Sequence, residues 1–109
     1  MSYINHVTIV GNLTADPQAG NVRNGTAANM RVASDLRFTD AEGKEAERVD
    51  YIDVDAYGKL GENCITDLKK GDRVIIAGPL RYDTWQDDDG GKHSKHRVKA
   101  KAVGKSLEF

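Results

Sequence analysis

The sequence predicts an all-β domain: a small five-stranded antiparallel barrel with one short helix between strands 3 and 4. Three observations carry this expectation. Short β-branched runs with period-two alternation recur along the chain, punctuated by Gly, Pro and Asp. A single stretch, 60–68, changes to a four-residue apolar period. The 109 residues suit one domain, 1–109, with a modest core to which self-association would add stability.

Each element has its own warrant. Residues 4–13 (INHVTIVGNL) are short, β-branched and end in Gly-Asn-Leu, the pattern of a strand. Asp16 and Pro17, then the 20–25 stretch, read as punctuation. A second strand spans 27–35, with Ala28, Met30 and Val32 on one face and Asn29, Arg31 and Ala33 on the other. Residues 36–48 are polar, carry Glu42-Gly43 and read as a mobile hairpin loop. In 49–56, Ile52, Val54 and Ala56 face the core while Tyr51, Asp53 and Asp55 face outward.

Leu60, Cys64 and Leu68, with Ile65 beside them, form the apolar stripe of the helix. Lys69 and Lys70 are expected in its last turn, where they suit the helix dipole, and Gly71 ends it. Strand pattern resumes over 72–80 with a kink at Pro79, which has no N–H to donate. The chain continues outward to Gln86, turns through 87–91 at a Gly-rich hairpin signal, and returns over 92–103. Three strands, a helix and two strands is the OB-fold order.

Charge is segregated along the chain. The net charge is only −1, yet residues 35–55 hold eight acids and three bases, whereas 92–105 hold six Lys or Arg and no acid. In the last strand Lys95, Arg97, Lys99 and Lys101 are odd-numbered, so period-two geometry predicts one cationic face. Alternate residues repeat every ~7 Å, close to the phosphate spacing of a nucleic-acid strand. The plain alternative is a solvated edge strand whose lysines discourage aggregation. No apolar run approaches the ~20 residues that cross a bilayer, and no signal-peptide pattern opens the chain. The lone Cys64 makes neither an internal disulfide nor a multi-cysteine zinc site. An intracellular protein without cofactor or metal is the expectation.

Five motifs stand in order at specific spacing, covering 4–105: VTIVGNL at 7–13 with Asp16-Pro17; Ala28-Asn29 opening a run of small apolar residues; Tyr57-Gly58-Lys59-Leu60; Leu68 to Gly71 followed by Val74, Ile75, Ile76, Gly78 and Leu80; and Trp85 with Asp87 and Gly90. Together they resemble the bacterial single-stranded-DNA-binding protein family. The resemblance implies sequence-independent binding and protection of single-stranded DNA in replication, recombination or repair, by bases stacking on aromatic rings while cations follow the backbone. Position by position, it carries stacking to Phe38, Tyr51, Tyr57 and Trp85. Backbone contacts fall to Arg31, Lys59, Lys70, Arg81, Lys92, Lys95 and Arg97. It implies a homotetramer that wraps DNA over several barrels. The alternative for each ring is core or cross-strand packing; for Trp85, between Asp83 and Asp87 in a polar hairpin, no core is within reach.

The chain departs from the family pattern in three places. Asp53 stands where a basic residue usually follows the stacking aromatic. Between Leu80 and Trp85, where the family typically has several basic residues, stand Arg81, Tyr82, Asp83 and Thr84. The family's linker and acidic tail are absent after 106–109, so tail-mediated recruitment is not expected. The acids predict a weaker grip, unless Arg31 on the neighbouring strand pairs with Asp53. Two rival functions follow: a nuclease holding Mg²⁺ on Asp50, Asp53 and Asp55 or on 87–89, which lacks a histidine or a candidate base nearby, and a primosome-type OB adaptor with weak nucleic-acid binding. An OB barrel that takes structured RNA is a further possibility.

Overall fold

The computed structural model describes residues 4–22 and 25–108. Residues 23 and 24 of the 20–25 stretch, and Phe109 of the 106–109 end, lie outside the described residues. In chain order the elements are β1 (Val7–Leu13), β2 (Gln18–Val22), β3 (Gly25–Thr39), β4 (Glu45–Tyr57), α1 (Gly58–Asp67), β5 (Arg73–Gly78), β6 (Leu80–Gln86), β7 (Lys92–Lys99) and β8 (Ala102–Lys105). They form one sheet in the order β6-β7-β4-β3-β1-β5-β8, with β2 paired beside β3.

Two barrel strands are bent in the middle. Pro79 separates β5 from β6, as a residue without an N–H should, and Ala100 with Lys101 separates β7 from β8. The second bend brings the sheet round on itself. The Ala100 N–H donates to the Asp55 carbonyl and the Lys101 N–H to the Ala77 carbonyl, both at 2.8 Å. The last strand thereby leaves β4 and joins β5. With β2 set aside as an extra strand beside β3, and β5–β6 and β7–β8 each counted as one strand, this is the expected five-stranded OB barrel, its helix between strands 3 and 4.

Period-two alternation supplies the interior. Ala28, Met30 and Val32 of β3, Val54 and Ala56 of β4, Val74 and Ile76 of β5, and Val98 of β7 are all buried. Helix α1 closes one end, with Cys64 buried and Leu60, Ile65 and Leu68 packed on the core. Burial, then the nearby Asp67 carboxylate, push the Cys64 thiol above its ordinary range, so it is a small core residue and a poor nucleophile.

Gly78 marks the tightest crossing. It is buried, and a Cβ there would strike the Lys99 carbonyl oxygen and the Ala100 backbone. Gly78→Ala is expected to cost about 1–3 kcal/mol through overpacking at the closure, seen as a lower thermal midpoint; an unchanged midpoint would mean that this crossing relaxes freely.

Three expectations need correction. Residues 36–48 are not a loop: β3 and β4 stay in register from Ala27↔Tyr57 out to Thr39↔Glu45, and only 40–44 turn. Backbone ladders need no apolar alternation, so a polar arm pairs as well as a core strand does. Residues 20–22, read as punctuation, belong with 18 and 19 to the strand β2, held to β3 by the same ladder bonds. The helix ends at Asp67, before Lys69 and Lys70, because Leu68 is extended and Asp72 starts a separate turn by accepting the Lys69 N–H at 3.0 Å.

Two hairpin arms project from the barrel, β3/β4 and β6/β7. They raise the radius of gyration to 15.9 Å, against about 13 Å for a compact chain of this length. Both tips use one device. Asp40 Oδ1 accepts the N–H groups of Glu42 and Lys44, Asp87 Oδ1 accepts those of Asp89 and Gly91, and Gly43 and Gly90 take the positive φ that each turn requires.

Candidate nucleic-acid interface

On β4 the core face carries Ile52, Val54 and Ala56, so Tyr51, Asp53, Asp55 and Tyr57 project from the other. On β7, His93, Lys95, Arg97 and Lys99 share a side. The β6/β7 register sets Trp85 opposite His93, Asp83 opposite Lys95 and Arg81 opposite Arg97. Strands β4 and β7 run parallel, with Asp55 beside Lys99. Side-chain contacts put these sets on one continuous surface. Lys95 forms an ion pair with Asp53. Arg97 places Nη1 3.4 Å from Asp55 Oδ1 and Nε 3.7 Å from Asp83 Oδ2.

Three aromatic rings stand along this surface, with Tyr51 58%, Trp85 46% and Tyr57 42% exposed. Each has a neighbour over it. The Arg31 guanidinium lies 5.1 Å from the Tyr51 centroid, the Lys99 ammonium 5.3 Å from that of Tyr57, and the His93 ring stacks on Trp85 at 5.5 Å and 20°. A base can stack on the open side of a ring or displace a cation from it. A displaced Arg or Lys then lies beside the phosphates that flank the base.

Electrostatics divide the surface. Five cations (Arg31, Arg81, Lys95, Arg97 and Lys99) share it with the carboxylates of Asp53, Asp55 and Asp83. Arg31 lies across the ladder from Asp53, but its guanidinium covers Tyr51 and Asp53 takes Lys95 instead, because β7 brings an ammonium to that carboxylate. The expected Arg31–Asp53 pair is therefore replaced. Lys101 is not part of the ladder either; it sits in the bend between β7 and β8.

Asp55 is the one buried charged residue among the described residues. Burial pushes its carboxyl above the usual carboxylate range; Arg97 pulls the other way by charge and hydrogen bond, without cancelling the effect. The Tyr57 hydroxyl is raised as well, by burial and then by Asp55 and Asp83. Because folding raises the pKa of Asp55, the native state holds that proton more tightly than the unfolded chain. This group's contribution to stability consequently falls as pH rises from the ordinary value through the raised one. Asp55→Asn keeps an acceptor for Arg97, which also retains Asp83. The variant is expected to melt at or above the wild-type temperature at neutral pH, with the advantage shrinking as pH falls toward about 4; a large loss at neutral pH would mean that the Arg97–Asp55 pair outweighs the burial cost.

Other residues proposed from the sequence lie elsewhere. Phe38 is 43% exposed on the β3/β4 arm, but it continues the pleat of Ala28, Met30 and Val32, opposite to that of Tyr51. Lys92 lies across from Gln86 on the pleat that carries Ser94 and His96, opposite to that of Lys95. Lys59 is exposed at the start of α1, 3.8 Å from Glu62. Lys70 is exposed in the turn before β5, its N–H donating to Asp16 Oδ1 at 2.7 Å. Sequence reasoning missed Tyr82, 60% exposed and tilted against His96 at 4.8 Å, and it missed His93 as the neighbour of Trp85. A hairpin register counted back from Gly90 would have found both.

An OB barrel with an exposed aromatic and cationic face has close parallels. Residues 4–106 match the model of the single-strand binding protein family. The chain belongs to that family. Among its relatives, the single-stranded DNA-binding protein of Helicobacter hepaticus is 36% identical over 91% of this chain and 59% of its own length. That of Deinococcus radiodurans is 37% identical over 92% of this chain and 33% of its own. The chain thus spans less than two thirds of these curated relatives. Among solved structures, the small single-stranded DNA-binding protein from Streptomyces coelicolor superposes with a TM-score of 0.74 at 26% identity, covering 98% of this chain and 97% of that one. No helix among the described residues is long and apolar enough to cross a membrane.

Proposed function

We propose that this family member binds single-stranded DNA of any sequence, mainly through stacking and backbone contacts, and catalyses no reaction. Bases would stack on Tyr51, Tyr57 and Trp85, while Arg31, Arg81, Lys95, Arg97 and Lys99 follow the backbone. The observation that carries the reading is the alignment of three exposed rings on the face that holds those cations. The names of the relatives support it. So does the single OB domain expected over the whole chain, since a groove of this kind accepts several nucleotides. Self-association into a tetramer, and service in replication, recombination or repair, belong to the same proposal.

Titration with oligo-dT tests it. Trp85 is the sole tryptophan, so its fluorescence should quench on binding, and the affinity should fall as salt rises. Light scattering with and without the oligomer reports the assembly. One observation favours a second reading: Lys95 and Arg97 are already paired with acids, as in an adaptor whose OB face binds nucleic acid weakly. Absence of quenching even at low salt would select that reading.

A further inference from the structure

The phosphate path leaves two residues without a purpose. Asp55 and Asp83 line a cavity of about 150 Å³ together with Tyr57, Arg81, Arg97 and Lys99. A space of that size admits a benzene-sized ring. Tyr57 provides one aromatic wall. Arg97 holds Asp55 on one side and Asp83 on the other, while Arg81 lies across the ladder from Arg97. Asp55 is 7% exposed, and burying a carboxylate is costly without compensation.

The chemistry of this lining restricts its occupant. A phosphate seated inside would meet two carboxylates, so the backbone that Arg81, Arg97 and Lys99 follow stays outside and the occupant is another group. An apolar group would strand five charged side chains in a drier setting. A flat heterocycle with donors and acceptors on its edge satisfies both halves. Its ring lies on Tyr57, its N–H groups reach carboxylate oxygens, and its carbonyl or ring nitrogen reaches Arg81 or Lys99. A carboxylate has about four acceptor sites, so the Arg97 contact with Asp55 leaves others for a ligand.

We propose that this cavity reads the edge of one base and favours an amine-bearing base, cytosine over thymine. The inference rests on the single-strand reading above. Cytosine offers its N4 amine to a carboxylate and its O2 and N3 to the basic groups. Thymine turns carbonyl oxygens toward the same carboxylates and has a single N–H between them. Acidic side chains accepting from cytosine N4 are an established form of base readout. A binder with this pocket is sequence-tolerant along Tyr51 and Trp85 but selective at one position.

The test compares oligo-dC with oligo-dT of equal length at matched salt, by quenching of Trp85 in the full chain. The expected result is a preference for dC of roughly fivefold, the lower end of what one edge contact supplies. Asp55→Asn and Asp83→Asn each replace acceptors by an amide that also donates. The dC/dT ratio should therefore fall or invert, even though removing a negative charge strengthens binding of both oligomers. The ratio separates edge reading from general electrostatics, which moves both affinities together. Asp83 is exposed, so its variant remains informative if Asp55→Asn destabilises the barrel. Equal affinities in the wild type, a preference for dT, or a ratio unchanged in Asp83→Asn would overturn the proposal. Failure to bind either oligomer would overturn the single-strand reading instead.

Discussion

Trp85→Ala is expected to weaken oligo-dT binding by roughly five- to a hundredfold while leaving the barrel folded. The magnitude follows from stacking, worth ~1–3 kcal/mol per base on an aromatic platform. The fold should survive because every residue of β6 is exposed and Trp85 contributes nothing to the interior. Its ring is held by its neighbours instead. His93 stacks on it, and the His93 Nε2 is 2.8 Å from Asp87 Oδ2. That hydrogen bond is the leading reason why the Asp87 carboxyl titrates below its usual range, with backbone N–H groups of the turn adding to it. The substitution removes the intrinsic fluorophore, so anisotropy of a labelled oligomer is the measurement, and circular dichroism checks the fold. Trp85→Phe should recover much of the affinity, since a smaller ring still offers a face. Undiminished binding in Trp85→Ala would move the stacking path off the β6/β7 arm altogether.

How much of this was legible in the residues differs between fold and site. Ala28, Met30, Val32, Val54, Ala56, Val74 and Ile76 announce the barrel because each strand's alternation is a local property of the chain. The Leu60–Cys64–Leu68 spacing does the same for the helix. Strand β2 and the outer half of the β3/β4 arm left no such mark, since both faces of a projecting ladder meet water and any polar residue serves. Asp40 and Asp87 did leave one: an Asp three residues before a Gly that adopts positive φ. The site was half readable. Exposure of Tyr51 and Trp85 followed from their polar neighbours. The pairing of Lys95 with Asp53 and of Arg97 with Asp55 did not, because it depends on β7 lying parallel to β4, a contact between segments some forty residues apart that no local pattern encodes.

That pairing sets the second large effect. Asp53→Arg is expected to tighten oligo-dT binding by roughly thirtyfold at low salt and to steepen its salt dependence. In the wild type the Lys95 ammonium is held by Asp53, whose side chain is 17% exposed, so a phosphate arriving there must displace a carboxylate already in place. Substitution removes that competitor and adds a cation on the pleat between Tyr51 and Asp55. Each charge pair at ~4 Å is worth ~1 kcal/mol in water, so losing one repulsion and gaining one attraction amounts to about 2 kcal/mol. Each further phosphate neutralised adds ~0.7 to the slope of log affinity against log salt for a single strand; freeing Lys95 and adding a guanidinium should raise the slope by about 1.4. Asp53→Asn separates the two contributions, since it frees Lys95 without adding charge, and should give about half of each change. Neither variant removes core packing, so thermal midpoints should stay close to the wild type. An unaltered slope in Asp53→Arg would mean that nucleic acid does not pass over the β4/β7 face, and the cations there would then be surface charges satisfied by their own acids.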